Sequence, residues 1–358
     1  MDAWVLGNPG ELIRIKKPIP KPDNAEVLIK IDAVAICATD LEIIEHGFPA
    51  IINGEKPFNK SFTPGHEFMG TIVKLGTNVD EYKIGDRVAV EIHAGCGRCS
   101  RCREGMYTSC HNYGKNYGDI NKGHRANGYT TDGAFTEYAV NHINTLVRVP
   151  EGISDEVATL IVTAGTAMYA IDTLGGLIAG QSLAVTGAGP IGLLCVSVAK
   201  ALGANPIFLS DIIDSRLKIG KSLGADYILN VNNENFNNFI LKNNNNLGVD
   251  YLIECSGSLQ ALDQATQLVN RGGKICLAAF SNKPSSVNVG NIVANNISLY
   301  GIRGEGKSAV KRAASLIKQK SLDPSPIHTH TFDMDELPEA LKHAKDRIDG
   351  AIKVVVKN

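Results

Sequence analysis

The sequence predicts an α/β protein: a doubly wound parallel sheet in the middle of the chain, with mainly β segments before it. Three observations predict it. At 181–192, a short apolar run (Leu183, Ala184, Val185) leads into Gly187, Gly189 and Gly192 at G-x-G-x-x-G spacing, and an apolar stretch of helical length follows. Six apolar runs, at 183–185, 207–209, 227–229, 251–254, 274–278 and 297–300, are separated by helical or loop lengths, as parallel strands with crossovers require. Residues 26–34 alternate apolar and polar in a segment bounded by prolines and glycines, which reads as short antiparallel strands.

The glycine stretch is specific because each position has its own task. Gly187 permits a tight turn, Gly189 lets the backbone approach a pyrophosphate, and Gly192 lets the helix pack close to the strand. The helix opening at Pro190 and Ile191 turns unpaired N–H groups and a positive dipole end toward the phosphates. Asp211 ends the next apolar run, 22 residues after Gly189, where an acceptor for the adenosine ribose hydroxyls belongs. A carboxylate there repels a 2′-phosphate, so NAD is expected rather than NADP. Arg216 is of the type that accepts a 2′-phosphate, but its plain reading is a helix-surface residue.

Composition narrows the field. Lys and Arg together number 36 against 37 Asp and Glu, so no basic excess points to nucleic acid or an anionic membrane. With 358 residues, about two domains are expected. No apolar run reaches the ~18 residues a membrane helix needs, and no secretory leader is expected. A reduced, cytoplasmic setting fits the eight cysteines, whose spacing points to metal rather than to disulfides.

In chain order, Cys37-Ala38-Thr39-Asp40 follows the first strands, and residues 46–64 read as a long loop. Then come His66 and Glu67; imidazole and carboxylate side by side, with a distant thiol, are ligand types that Zn²⁺ prefers. Cys96, Cys99, Cys102 and Cys110 follow in a C-x2-C-x2-C-x7-C pattern, enough for a closed four-thiolate site. An iron–sulfur cluster is the rival occupant of such a set. Residues 112–131 read as loop, 132–140 as strand, 150–154 as a domain boundary and 156–171 as an apolar helix. The Asn-rich piece 232–246 reads as a polar surface turn or helix end. Residues 352–356 form a closing strand that rejoins the first domain.

Together these pieces resemble the zinc-containing medium-chain dehydrogenase/reductase family over nearly the whole chain. The resemblance is carried by Cys37-x-Thr39-Asp40, Gly65-His66-Glu67, the four-cysteine lobe, Gly187-x-Gly189-Pro190-x-Gly192, the pair Asp211 and Arg216, and Glu254-Cys255-Ser256-Gly257. In motif style it is similar to the polyol, threonine and glucose branches. It implies a GroES-like, mainly β catalytic domain (1–152 with 300–358, zinc lobe 95–111) and a Rossmann NAD-binding domain (153–299), with the active site in the cleft between them. It implies two zinc ions. The catalytic one is held by Cys37, His66 and Glu67, with Glu67 either a direct ligand or a group that exchanges with substrate. The structural one is held by the four clustered cysteines. Thr39 matches the hydroxyl that relays the alcohol proton, and Ser256 falls in the cofactor domain's motif.

Two departures from the family pattern stand out. Glu42 occupies the place of a relay histidine, and Thr163 occupies the place of a third zinc ligand. The expected activity is hydride transfer between NAD and a secondary alcohol, a polyol or sugar-like substrate, with Glu42, His46, Glu67, Arg303 and Glu305 as polar groups for it. The alternatives are a threonine-type amino-alcohol dehydrogenase and a non-catalytic protein that binds NAD and zinc. A homodimer or homotetramer, paired through the strand at 297–300, is expected by analogy.

Overall fold

The computed structural model describes residues 1–47, 61–112, 125–281 and 283–358. Most of the loop expected at 46–64, and residues 113–124 of the loop expected at 112–131, lie outside the described residues. The chain forms two compact units. One comprises Met1–Val162, Gly304–Ala314 and His328–Asn358; the other comprises Thr163–Arg303 and Ser315–Ile327.

The first unit begins with β1 (Asp2–Leu6), β2 (Leu12–Lys16), β3 (Glu26–Ala35), α1 (Ala38–His46), β4 (Glu67–Leu75) and β5 (Arg87–Val90). It continues with β6 (His93–Gly95), α2 (Ser100–Arg103), β7 (Arg125–Ala126), β8 (Tyr138–His142), β9 (Leu146–Arg148) and the start of α3 (Asp155–Thr173). The second unit holds β10 (Leu183–Thr186), α4 (Pro190–Ala201), β11 (Ile207–Asp211), α5 (Asp214–Ser222), β12 (Tyr227–Asn230) and α6 (Phe236–Asn243). After these come β13 (Val249–Glu254), α7 (Leu259–Leu268), β14 (Val269–Leu277), α8 (Val289–Ala294) and β15 (Ser298–Gly301). The chain closes with α9 (Ala309–Lys318), β16 (His328–Asp333), α10 (Leu337–Asp346) and β17 (Lys353–Lys357).

The first unit is built on a sheet ordered β16-β17-β3-β4-β5-β9, with β8 also pairing β3. Antiparallel pairing joins β17, β3, β4, β5 and β9, as the alternation at 26–34 predicts. Val27, Ile29 and Ile31 of β3 meet Phe68 and Ile72 of β4 and Val354 and Val356 of β17 in one buried cluster. The register aligns Val355, Ala35 and Glu67 in one row across three strands, so the end of β3, the start of β4 and the start of β17 converge. The strand expected at 132–140 begins only at Tyr138. Gly133, Ala134 and Phe135 instead spend their N–H groups on the carbonyls of Thr63, Gly65 and Pro64.

The second unit carries the predicted parallel sheet, ordered β12-β11-β10-β13-β14-β15. The strand order reverses beside β10, between β11 and β13, and ligands of such sheets bind beyond the carboxyl ends at that reversal. The Asn-rich piece contains a helix rather than a turn alone: in α6, Phe236 and Ile240 are buried against the sheet's apolar cluster. Among the described residues, no helix is long and apolar enough to cross a membrane.

Candidate active site and metal centres

Cys37 sits between β3 and α1 as the residue preceding the helix, and its N–H donates to Oδ2 of Asp40 at 2.9 Å. Asp40 is wholly buried; its Oδ1 also accepts from the Gly65 N–H at 3.2 Å and lies 2.9 Å from Nδ1 of His66. A proton held on Nδ1 by that carboxylate leaves Nε2 with its lone pair, the form in which imidazole binds metal. One sulfur, imidazole or carboxylate atom from each of Cys37, His66 and Glu67 lies within 4.8 Å of the others. Burial disfavours charge on the His66 imidazole, but Asp40, Tyr129 and Cys37 outweigh it and hold its pKa well above the usual value. Surroundings that draw a proton so strongly equally favour a divalent cation, and the donor set suits zinc with a position to spare.

Two hydroxyls flank this centre. Thr39 Oγ1 lies 3.8 Å from Cys37 Sγ, and Thr39 is hydrogen-bonded to the phenol of Tyr129, whose pKa burial drives up. The Tyr129 ring is 5.0 Å from that of His66 and 6.0 Å from that of His93. Beneath Glu67 lies a buried cation: Lys353, first residue of β17, pairs its Nζ with Glu67 Oε2 and donates to the Ile36 carbonyl at 3.2 Å. Burial opposes its charge, yet Glu67 and Cys37 hold its pKa above the ordinary lysine value.

A second acidic group lies in the same unit. Glu305 is wholly buried, and its Oε1 accepts from the His93 N–H at 3.0 Å. Its Oε2 finds no hydrogen-bond partner among the described residues. Burial and the nearby Glu305 carboxylate push Glu91 up to about 9, with Lys311 opposing. Burial likewise raises Glu305.

The four-cysteine lobe is assembled as its spacing predicts. Cys96, Cys99, Cys102 and Cys110 bring their sulfurs within 4.8 Å of one another. All four are free thiols, and Cys96 and Cys102 lie 4.0 Å apart, close to the ~3.8 Å sulfur–sulfur edge of a tetrahedron with ~2.3 Å zinc–sulfur bonds. Cys99 caps α2 by accepting from the Cys102 N–H, while the Asn112 side chain donates to Cys96 at 3.2 Å. Partial burial opposes ionisation of Cys96, but the Arg98 backbone and Asn112 bring it down to about 6, toward the thiolate a metal needs.

In the second unit, the loop after β10 has the form a dinucleotide requires. Gly187 has φ +91°, and a Cβ there would meet the Ser256 nitrogen at 2.8 Å. A Cβ on Gly192 would lie 1.9 Å from the Gly187 carbonyl, whereas Gly189 faces open space. Pro190 opens α4, with Ile191 next, so the first N–H groups are free for an anion. Asp211 ends β11, and its carboxylate accepts from Ala188 N at 2.5 Å, Ile212 N at 2.7 Å and Ile213 N at 2.9 Å. Wholly buried Glu254 accepts from the Ser256 and Gly257 N–H groups and fixes the loop that carries Ser256.

The structure therefore brings Cys37, Thr39, His66 and Glu67 together, and Cys96, Cys99, Cys102 and Cys110 together. Glu42 and His46 lie exposed on α1, and Arg303 is exposed in the second unit. Glu305, expected among the polar groups for the substrate, is wholly buried, with its carboxylate accepting from the His93 N–H. Thr163 lies on α3 with a buried hydroxyl that has no partner among the described residues, and Arg216 is half-buried on α5. Nothing in the sequence alone marks Asp40 as the partner of His66, or Tyr129 and Lys353 as neighbours of the centre, because these placements depend on distant pairing.

Comparison with known proteins agrees with this geometry. The model of the alcohol dehydrogenase GroES-like domain matches residues 23–151, and that of the zinc-binding dehydrogenase matches residues 190–319. The chain is 34% identical to an L-threonine 3-dehydrogenase of Pyrococcus horikoshii over 363 residues, covering 100% of this chain and 99% of that one. It is 32% identical to a sorbitol dehydrogenase of Bacillus subtilis, covering 99% and 97% respectively. Among solved structures, the 2R,3R-butanediol dehydrogenase of Bacillus subtilis superimposes with TM-score 0.86 at 27% identity, covering 100% of this chain and 99% of that one. An Escherichia coli oxidoreductase/dehydrogenase of unknown specificity gives TM-score 0.91 at 28% identity, covering 99% and 98%. With relatives above 30% identity along its whole length and both domain models matched, the chain belongs to the zinc-containing medium-chain dehydrogenase/reductase family.

Proposed function

We propose that this chain oxidises a secondary alcohol flanked by further polar groups, a polyol or sugar-like compound, with NAD as hydride acceptor and two zinc ions per chain. The observation that carries the proposal is the convergence of Cys37, His66 and Glu67, each offering a ligand atom within 4.8 Å of the others, beside the Thr39 hydroxyl. When bound, zinc supplies the Lewis acidity that lowers a hydroxyl pKa, and the nicotinamide supplies the acceptor for hydride. Cys37 and His66 would hold the catalytic ion, Asp40 keeps the His66 tautomer, and Glu67 would be a third ligand or a group that exchanges with substrate. Thr39, hydrogen-bonded to Tyr129, would accept the alcohol proton as it gives up its own toward Glu42, one turn further along α1 and exposed to solvent. The Gly187–Gly192 loop holds the pyrophosphate and Asp211 the ribose, which favours NAD. Arg216 is a helix residue in this reading, and Ser256 a wall of the cofactor loop.

A second reading, a threonine-type amino-alcohol dehydrogenase, is favoured by the 34% identity to the L-threonine 3-dehydrogenase of Pyrococcus horikoshii along the whole chain. For assembly we propose pairing of two copies through β15, an edge strand on which Leu299 and Tyr300 are 37% and 36% exposed.

The test is NADH formation by a zinc-replete preparation, with NAD and NADP offered separately. The panel is polyols, aldoses, their phosphates, L-threonine and simple secondary alcohols. Turnover with NAD on one polyol class, lost in Cys37→Ala, supports the first reading, and turnover on threonine alone replaces it with the second. No turnover with a single zinc per chain overturns both in favour of a non-catalytic binding protein.

A further inference from the structure

The first unit also holds a cavity of about 410 Å³ that none of Cys37, His66 and Glu67 lines. Its size falls within the roughly 300–1,000 Å³ of small-molecule sites. Strand pairing assembles its polar wall. β8 runs antiparallel to β3, with His142 opposite Glu26 and Asn141 opposite Val27. β7 brings Arg125 to the same place, its guanidinium 3.3 Å from Oε1 of Glu26. Pro18, Pro20 and Val140 add apolar lining, and the exposed Lys21 adds a cation.

Two buried atoms of that wall lack partners among the described residues: Nε of Arg125 and Oδ1 of Asn141. The amide orientations are forced. The Glu91 carbonyl can only accept, so Asn127 turns its NH2 toward it, at 3.0 Å, and its own oxygen toward Asn141. Asn141 must then donate to that oxygen, at 2.8 Å, and its Oδ1 is left as an acceptor on a residue only 4% exposed. Arg125, by contrast, can only donate. Burial pulls its pKa below the ordinary arginine value against the opposing charge of Glu26, so one carboxylate does not fully offset the burial of this guanidinium. Lys17, a further cation of the lining, is already engaged by Asp132 and the Ser61 carbonyl. The cavity therefore presents an unmet donor with surplus positive charge and an unmet acceptor, and buried polar groups of a native fold rarely go unmet.

We propose that this cavity binds a small hydroxycarboxylate, an anion with one hydroxyl beside its carboxyl group. Arg125 and Lys21 take the carboxylate, and the hydroxyl donates to Asn141 Oδ1. A plain carboxylate leaves the Asn141 acceptor unmet, and a neutral alcohol leaves the Arg125 donor and its charge unmet. Because the catalytic donors do not line the cavity, the site stands whether or not they hold a metal ion.

The experiment measures binding to the zinc-loaded full chain by calorimetry, without NAD, using L-lactate as the probe. Propanoate, which lacks the hydroxyl, and propane-1,2-diol, which lacks the carboxylate, are the comparisons. Lactate should bind saturably, and both analogues on the order of 10-fold more weakly, the scale of leaving one buried polar group unmet. Arg125→Lys keeps a charge beside Glu26 but removes Nε, and should weaken lactate by a similar factor. Lys21→Gln, at an exposed position, should weaken it less and serves even if Arg125→Lys does not fold. Cys37→Ser should bind lactate as the wild type does. Lactate that fails to saturate would overturn the proposal and leave ordered water as the partner of Arg125 and Asn141. Binding abolished by Cys37→Ser but untouched by Arg125→Lys and Lys21→Gln would overturn it too, by placing the ligand on the catalytic centre. Propanoate binding as tightly as lactate would remove the hydroxyl contact, and with it the assignment of a hydroxycarboxylate.

Discussion

Asp40→Asn is the most informative single change, because the substitution preserves shape and alters only charge and donor pattern. Asp40 receives three donors: Cys37 N on Oδ2, and Gly65 N with His66 Nδ1 on Oδ1. Asparagine keeps one oxygen, which belongs at the Oδ1 position where two donors meet. Its NH2 then faces the Cys37 N–H, so one acceptor bond is lost and two donors are opposed in a fully buried site. A buried polar group left unpaired costs about 1–3 kcal/mol. The lost charge also weakens the hold on the His66 tautomer, and changing such an outer-shell partner typically costs about 10–100-fold in metal affinity, or roughly 1.4–2.7 kcal/mol. Transfer of zinc from the protein to a chromophoric chelator measures this directly, with thermal unfolding as the check on the fold. A folded Asp40→Asn variant that keeps its zinc within twofold of wild type would refute the reasoning, since Asp40 would then be a helix-capping residue alone.

Other perturbations read different parts of the molecule. The Glu91 carboxyl, pushed up to about 9, keeps its proton to higher pH in the folded chain than the ~4.3 of an open one. A raised folded pKa gives a contribution that is complete below pH ~4 and is lost as pH climbs toward 9, at up to about 1.4 kcal/mol per unit. The melting temperature of wild type should therefore fall more steeply between pH 5 and 9 than that of Glu91→Gln. Parallel profiles by calorimetry would contradict this. Asp211→Ala should raise the KM for NAD on the order of 10-fold, as loss of a charged hydrogen bond implies, without raising that for NADP. Asp211→Asn, which can still accept from Ala188, separates the loop's stability from ribose recognition, and an unchanged NAD KM in both variants would remove Asp211 from the cofactor site.

The parallel sheet was legible because each strand announces itself by an apolar run, and its reversal point by the glycines after β10. The four-cysteine lobe was equally legible, since its ligands lie within 15 residues of one another and need no distant partner. Cys37 and His66 emerged from their residue types and the family pattern. Lys353 did not, because nothing local distinguishes it from the lysine four residues later; only the pairing of β17 with β3 carries it inside. The burial of Glu305 was hidden for the same reason, as the His93 N–H from which its carboxylate accepts lies 212 positions away in the chain. The strand at 132–140 was drawn too long because alternation alone does not reveal that the Thr63–Gly65 carbonyls claim its first N–H groups.

The row of Val355, Ala35 and Glu67 across three strands also has a consequence for timing. Synthesis reaches Lys353 only 286 residues after Glu67, which at about 5–20 residues per second is roughly 15–60 s of translation. Throughout that interval the nascent chain holds Cys37, His66 and an acid whose buried counter-charge has yet to be made. The end of β3, residues 33–35, meanwhile waits unpaired on the edge that β8 covers only at 26–30, until β17 arrives. A cell making this protein thus carries, for many seconds per copy, a half-built sheet with an exposed hydrogen-bonding edge and an unneutralised metal-seeking carboxylate. That is the stage at which free metal or a wrong strand finds its easiest entry, and a chaperone its most useful hold.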